Sequence, residues 1–348
     1  MNSSINEEVK RNLISKIPNI KLKEKLGKGG FGDVYNIESK DYNLVIKVQF
    51  AENNDVKKND MFKNECIFSK SLKHKNIINT LLIRKDLIKD NNMTMYSIFM
   101  EKALYQNLYF FLEYFMKNNL MKITLDKRYF TYLLKPNSLF ISYFAGQIIN
   151  GLQLLYESNI IHRDLKLENI LCCTNFILKF CDFGLSKLIK PKNKDIQMVK
   201  STWTYQCPEV YKKNHKINVK YAYNQDYFSL GIILYYLIFG ENLFPKGNKY
   251  KIDYNTCIND IRNGKEKINK LIENKFIDCE IGNITNKLLF EEISDCPQII
   301  EIADNKWIHD NQKEANKIKS IFPGVEIKFF VEMYKFKKVT KKRNKFRI

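Results

Sequence analysis

The sequence predicts an α+β chain of about two domains, with strand-like segments toward its N-terminus and helical segments beyond. Three observations carry that expectation. The chain has 348 residues, 45% of them hydrophobic, which is material for a packed core and about two domains. Up to residue 100 the apolar residues come mostly in short runs of strand length. Beyond residue 105 they come in longer helical segments, about 108–117, 139–158 and 228–239.

Residues 1–21 carry mixed charge without a clear period and read as an extension. Alternation begins at Ile20-Lys21-Leu22-Lys23 and leads into Gly27-Lys28-Gly29-Gly30-Phe31-Gly32-Asp33-Val34. This G-x-G-x-x-G-x-V pattern lies between two expected strands and does not open a helix, which separates it from a dinucleotide-binding turn. Glycines there let backbone amides approach phosphates, and Phe31 at the tip is placed to cap the site. The next strand, Asn43 to Val48, carries Lys47 inside an apolar run. A lysine so placed needs a partner, and Glu65 on an expected helix Asp60 to Leu72 is the candidate. A strand Thr94 to Met100 then leads into Glu101-Lys102-Ala103.

The densest chemistry is Ile161-His162-Arg163-Asp164-Leu165-Lys166-Leu167-Glu168-Asn169, followed by Cys181-Asp182-Phe183-Gly184. Transfer of a phosphate to a hydroxyl needs a proton acceptor, a cation against the phosphate oxygens and oxygen ligands for a metal. Asp164 suits the first, Lys166 the second, and Asn169 with Asp182 the third. In this order the two stretches resemble the catalytic loop and the metal-binding triplet of eukaryotic protein kinases.

That resemblance covers about Leu22 to Ile308 and implies roles for further residues. Asp164, Lys166, Asn169 and Thr202 would be catalytic, and Asn169 and Asp182 would hold Mg2+. ATP would be held by Gly27, Gly29, Gly32, Val34, Lys47, Glu65, Glu101, Ala103 and Leu171, with adenine on the backbone of Glu101 and Ala103. The implied layout is a β-rich N-terminal lobe at 22–104, a larger, mainly helical C-terminal lobe at 105–308 with an insertion near 118–137, and a C-terminal extension at 309–348. The implied reaction is transfer of the γ-phosphate of ATP to serine or threonine hydroxyls of protein substrates. Lys166 in the loop points to that acceptor class rather than tyrosine. The alternative is a pseudokinase scaffold that binds nucleotide without turnover.

Three departures from the family pattern shape further expectations. Lys187 to Lys200 holds no serine, threonine or tyrosine, so activity is expected without phosphorylation there, with Asp195 the candidate to face Arg163 and Ser201 or Thr204 as remaining acceptors. Glu168 is the single carboxylate among three positions that would attract an upstream arginine, the others being Asn107 and Tyr236. Glu209 resembles the glutamate that pairs with an arginine near the closing helices, but Cys296 stands in the arginine's place. A substitute lysine or a hydrated site is expected to compensate it.

The net charge of +20 tempts a nucleic-acid reading, but the basic residues are 51 lysines and only 7 arginines. Base readout leans on arginine, so specific nucleic-acid binding is not expected. Most of the excess reads as solvated surface. The stretch Lys335 to Ile348, with eight basic residues in fourteen, is open to contact with anionic surfaces or import machinery. Eight cysteines without a C-x-x-C pair suggest neither a disulfide framework nor a zinc site. The run Phe228 to Phe239 is too short to span a bilayer, and the N-terminus has no apolar signal core. A cytoplasmic chain, with entry to the nucleus left open, is the expectation.

Overall fold

The computed structural model describes residues 21–29, 32–38, 43–88, 92–117, 139–190, 192–198, 202–212, 216–244, 253–308 and 310. Gly30, Phe31, Ser201, the expected insertion at 118–137 and both terminal extensions (1–20 and 311–348) lie outside these residues. In chain order the elements are β1 (Lys21–Gly29), β2 (Gly32–Glu38), β3 (Leu44–Glu52), α1 (Val56–Ser71), β4 (Thr80–Ile88), β5 (Met93–Glu101), α2 (Leu108–Lys117) and α3 (Leu139–Glu157). Five short strands follow, β6 (Ile160–Ile161), β7 (Ile170–Cys172), β8 (Leu178–Phe180), β9 (Lys187–Leu188) and β10 (Asp195–Gln197), then β11 (Lys216–Asn218). Four helices close the order: α4 (Asn224–Phe239), α5 (Tyr254–Glu273), α6 (Cys279–Leu288) and α7 (Ile299–Ala303). Two compact units result, one of Met1–Leu104 with Phe180–Lys187, the other of Tyr105–Lys179 with Leu188–Ile348.

The first unit is built on an antiparallel sheet in the order β1-β2-β3-β5-β4. Side chains alternate across it, and both faces are used. Tyr35, Ile37, Ile46, Val48, Met95 and Phe99 pack together on one face. On the other, Ala51 and Tyr96 meet Phe62 of α1, whose ring lies 5.5 Å from that of Tyr96, edge to face. Helix α1 starts a turn earlier than the apolar spacing predicts because Asp55 caps it, its carboxylate accepting from the amide of Lys58 at 2.9 Å.

Helix α4 organises the second unit. Every residue from Asn224 to Tyr236 is buried, as expected for a helix that is apolar on all sides. Gly231 makes its packing on α6 possible: a Cβ there would come within 2.9 Å of Leu288 Cβ and 3.0 Å of its backbone carbon. An alanine at this position would push the two helices apart. A second cluster joins Tyr105, Phe111, Phe144 and Phe176, with ring centroids 5.3–6.1 Å apart. No disulfide forms among the described residues, which include all eight cysteines. No helix among the described residues is long and apolar enough to cross a membrane.

Candidate active site

The larger unit assembles Asp164, Lys166, Asn169 and Thr202. The loop that carries Asp164 follows β6, and its backbone takes hydrogen bonds from outside the loop. Asp226, in the first turn of α4, supplies two: its oxygens accept from the amides of His162 at 2.6 Å and Arg163 at 2.8 Å. Asp226 is 2% exposed, and burial pushes its carboxyl up while His162 and the two amides pull it down. Arg163 is thereby held at φ 65°, a left-handed conformation that costs a non-glycine residue about 1–3 kcal/mol. Strain at this point is sustained by α4.

Beyond Arg163 the side chains close on one carboxylate. Lys166 Nζ donates to Asp164 Oδ2 and to Thr202 Oγ1, each at 2.7 Å. The Thr202 hydroxyl donates to Asp164 Oδ1 at 3.1 Å. Asn169 Nδ2 donates to the Asp164 backbone oxygen at 2.9 Å and to Oδ2 at 3.0 Å. Asp164, 5% exposed, thus has several donors fixing the direction of both its oxygens. The carboxylate is thereby held in one orientation by groups of its own unit.

The smaller unit assembles a second set. Lys47 Nζ lies 2.5 Å from Glu65 Oε1 and 3.0 Å from Asp182 Oδ1. Burial pushes the Lys47 ammonium down, but the carboxylates of Asp182 and Glu65 outweigh it and hold the lysine charged well above its ordinary range. Burial raises the Glu65 carboxyl, opposed chiefly by Lys47. Asp182 itself takes φ 66°, so the residue before Phe183 is also held in the left-handed region. Val34 pairs with Lys47 across β2 and β3, which puts the two on the same face of the sheet. Gly27 pairs with Val34 and Gly29 with Gly32, so these glycines sit on the hairpin between β1 and β2.

Other expected residues are placed less simply. The amide of Glu101 donates to Asn79 O at 3.0 Å, and its side chain accepts from Asn79 N at 2.7 Å. That amide is therefore committed within the unit and does not serve a base. Ala103 is half-buried after β5. Leu171 belongs to the larger unit, half-buried on β7 and bridged to Asn107. Asn107 caps α2, its Oδ1 accepting from Phe110 N at 2.8 Å.

One further expectation is corrected. Asp195 does not face Arg163: it is exposed on β10, paired through its backbone to Asn218, and forms no ion pair among the described residues. Ile196 beside it is buried, and the alternation along β10 leaves the Asp195 side chain on the solvent side. For Glu209 the expectation was a substitute lysine or a hydrated site, and among the described residues no lysine bonds to it directly. Glu209, 5% exposed, accepts from the amide of Ile293 at 2.6 Å through Oε1, while Oε2 has no hydrogen-bond partner among the described residues. The nearby Lys212 donates to Glu292 at 2.9 Å and acts on Glu209 only through its charge. Burial therefore raises the Glu209 carboxyl. A carboxyl raised in this way contributes stability at low pH that is lost as pH rises through its folded-state value. Glu209→Gln is expected to flatten that slope at little cost, and Cys296→Arg to raise the thermal midpoint by a few degrees, at roughly 2–4 °C per kcal/mol. Melting curves from pH 5 to 8 check both; a lowered midpoint for Cys296→Arg contradicts the compensation argument.

Sequence reasoning missed Gln49, whose amide reaches Glu65, and Glu113, whose carboxylate accepts from the Tyr236 hydroxyl at 3.1 Å. Glu113 has a sequence signal only in its spacing along α2. Together with Glu168 it pushes the Tyr236 hydroxyl well above its ordinary range, after burial.

The family described as protein kinase domain matches residues 20–308. An Aurora kinase of Eremothecium gossypii is 26% identical over 307 residues, covering 86% of this chain and 73% of the relative. An Aurora kinase of Saccharomyces cerevisiae is 27% identical over 236 residues, 67% of this chain and 56% of the relative. Human cyclin-dependent kinase-like 2 is 30% identical over 228 residues, 63% of this chain and 39% of the relative. Members of the family use ATP with a divalent metal and act on protein substrates. The chain, with its antiparallel five-stranded sheet and helical second unit, belongs to the protein kinase family, serine/threonine type.

Proposed function

We propose that the chain transfers the γ-phosphate of ATP to serine or threonine hydroxyls of protein substrates, with the site residues in the roles that follow. The observation that carries the reading is the set of donors, from Lys166, Thr202 and Asn169, converging on Asp164. Asp164 accepts the proton of the attacking hydroxyl, and Thr202 and Lys166 fix its direction. Lys166 also sets a positive charge beside the position where the phosphate is attacked. Lys47, kept charged by Glu65 and Asp182, holds the α- and β-phosphates. Gly27, Gly29, Gly32 and Val34 line the nucleotide from the β1–β2 hairpin, Glu101 meets the base through its backbone carbonyl, its amide being taken by Asn79, Ala103 meets it through its backbone, and Leu171 packs against it. The proposed layout is the one expected from the sequence, lobes at 22–104 and 105–308 with extensions on either side.

Magnesium fits the donors available. Asp182 offers a carboxylate and Asn169 a carbonyl oxygen whose amide nitrogen is occupied by Asp164. These are hard oxygen ligands, and a cation that keeps several waters and takes the rest of its shell from phosphates needs few protein groups. When bound, magnesium supplies charge neutralisation on the transferred phosphate. A cytoplasmic or nuclear location, and contact of the 335–348 tail with anionic surfaces, belong to the same proposal.

Incubation with labelled ATP, magnesium and a mixed protein substrate tests the reading, with phosphoamino-acid analysis of the product. Phosphoserine and phosphothreonine are the expected products; label on tyrosine alone contradicts the acceptor class. Because Lys187–Lys200 lacks an acceptor hydroxyl, phosphatase treatment is expected to change the rate less than about twofold, a small effect beside the ordering that phosphorylation brings elsewhere. A silenced enzyme, reproduced by Ser201→Ala, would overturn that.

A further inference from the structure

We infer that Gln49 is a positioning residue: it holds Glu65, and with it α1, in the arrangement that keeps Lys47 paired. The inference rests on the kinase reading for its catalytic consequence and on geometry within the smaller unit for the latch itself. Lys47, Gln49 and Ala51 project from one face of β3, the face that α1 covers. Gln49 is 1% exposed, and its Nε2 donates to Glu65 Oε2 at 2.6 Å, while Lys47 takes Oε1. Each oxygen of Glu65 thus has its own donor. The orientation of the amide follows from charge, since a reversed amide would set its carbonyl oxygen against the carboxylate.

Two features set this amide apart from an ordinary core glutamine. Its Oε1 is buried without a hydrogen-bond partner among the described residues, a cost that an apolar side chain of similar size would not incur. The donor to Glu65 is what the position retains in exchange. Its stem also fills space beside the glycine hairpin: a Cβ on Gly32, which has φ 149°, would lie 2.7 Å from Gln49 Cγ. Gln49 therefore touches the third glycine of the loop on one side and α1 on the other.

The ion pair alone is a divided restraint, because Lys47 is shared between Glu65 and Asp182. Among the described residues the Gln49 side chain serves Glu65 alone. A second neutral anchor lies toward the start of the same helix, where the Tyr96 hydroxyl donates to Asn59 Oδ1 at 2.9 Å. Asn59 Nδ2 donates in turn to the backbone oxygens of Glu52 at 2.7 Å and Asp55 at 2.8 Å. Helix α1 is thus tied to the sheet at two points that do not depend on Lys47. In this family the lysine–glutamate pair must be in place for transfer, and elsewhere phosphorylation or partner binding brings it there. Here the latch supplies that alignment from within β3.

The test is Gln49→Met in the full chain, which keeps length and apolar bulk but removes the donor. Loss of a hydrogen bond to a charged group is expected to lower kcat by about tenfold or more, with KM for peptide within about twofold. Amides of α1 should exchange faster in the variant while those of α4 keep their rates. Gln49→Glu, which faces Glu65 with a second carboxylate, should lose more. An unchanged kcat with unchanged exchange in α1 overturns the inference. If Gln49→Met does not fold, exchange in the wild-type chain decides: amides around Glu65 must exchange as slowly as those of β3, and rapid exchange there overturns the latch. A wild-type chain that transfers no phosphate contradicts the kinase reading instead, and the exchange measurements then still judge the latch.

Discussion

Asp164→Asn is expected to lower phosphoryl transfer by about 10²–10⁴-fold while the fold stays intact. Asparagine keeps the size of the side chain, but Lys166 Nζ and Thr202 Oγ1 donate to different oxygens of Asp164, so only one of them retains an oxygen to donate to. What is lost is the negative charge that accepts the hydroxyl proton. The new amide nitrogen also brings a donor into a site already crowded with donors from Lys166, Asn169 and Thr202. Because Asp226 and α4 hold the loop backbone independently, the thermal midpoint should move little. Steady-state rates with saturating ATP and peptide, set beside a melting curve, check both halves. A variant that turns over at near wild-type rate removes Asp164 from the proton-accepting role.

Lys47→Met is expected to damage stability as well as rate. The substitution leaves Glu65 and Asp182 together with no cation between them, and breaking a buried pair by removing one partner costs about 3–5 kcal/mol. Gln49 keeps its bond to Glu65 but carries no charge. The pH dependence has a definite sign. Without Lys47, burial and Asp182 both raise the Glu65 carboxyl, so the folded state binds a proton more readily than the unfolded one. That stability is present at low pH and is lost as pH rises through the folded-state value. Wild type and variant should therefore differ least near pH 5 and most near pH 8. A gap in thermal midpoint that is independent of pH would mean that the lysine is held there by packing of its stem rather than by the two carboxylates.

The parts of the site that were legible in the sequence are those whose chemistry is local or whose cost demands a partner. Asp164, Lys166 and Asn169 fall within six residues, so their types and spacing nearly define the site by themselves. Lys47 was legible for a different reason, since an ammonium inside an apolar strand must find a carboxylate and α1 offers Glu65. The strands and helices followed from their periodicity, with errors at the ends: α1 starts at Val56 and not near Asp60 because the cap at Asp55 outweighs the apolar spacing. Contacts set by tertiary placement were not legible. Gln49 reads in sequence as a polar interruption of a strand, and only the packing of α1 shows that it serves Glu65. Glu113 reads as a helix-surface residue until α4 brings the Tyr236 hydroxyl to it. Asp195 was expected to meet Arg163 by composition alone, but the alternation along β10 leaves it on the solvent side. Glu209 accepts from a backbone amide, that of Ile293, which no side-chain pattern reveals.

Glu113 also changes how the peptide preference is to be tested. With Glu168 as the one carboxylate, no strong requirement for upstream arginine is expected; a second carboxylate acting on Tyr236 strengthens the local field. A peptide array with wild type and Glu113→Gln separates the two. Indifference to arginine in both proteins keeps the sequence expectation, and an arginine preference lost in the variant assigns it to Glu113.

The central claim is that this chain turns ATP over into phosphorylated protein. The most direct measurement follows nucleotide binding and phosphate transfer on the same wild-type sample, with magnesium and a serine- or threonine-containing peptide. The expected result is phosphopeptide formed in step with ADP, at a rate that vanishes when magnesium is chelated. Saturable ATP binding without phosphopeptide, under the same conditions, would contradict the claim and leave a nucleotide-binding scaffold in its place.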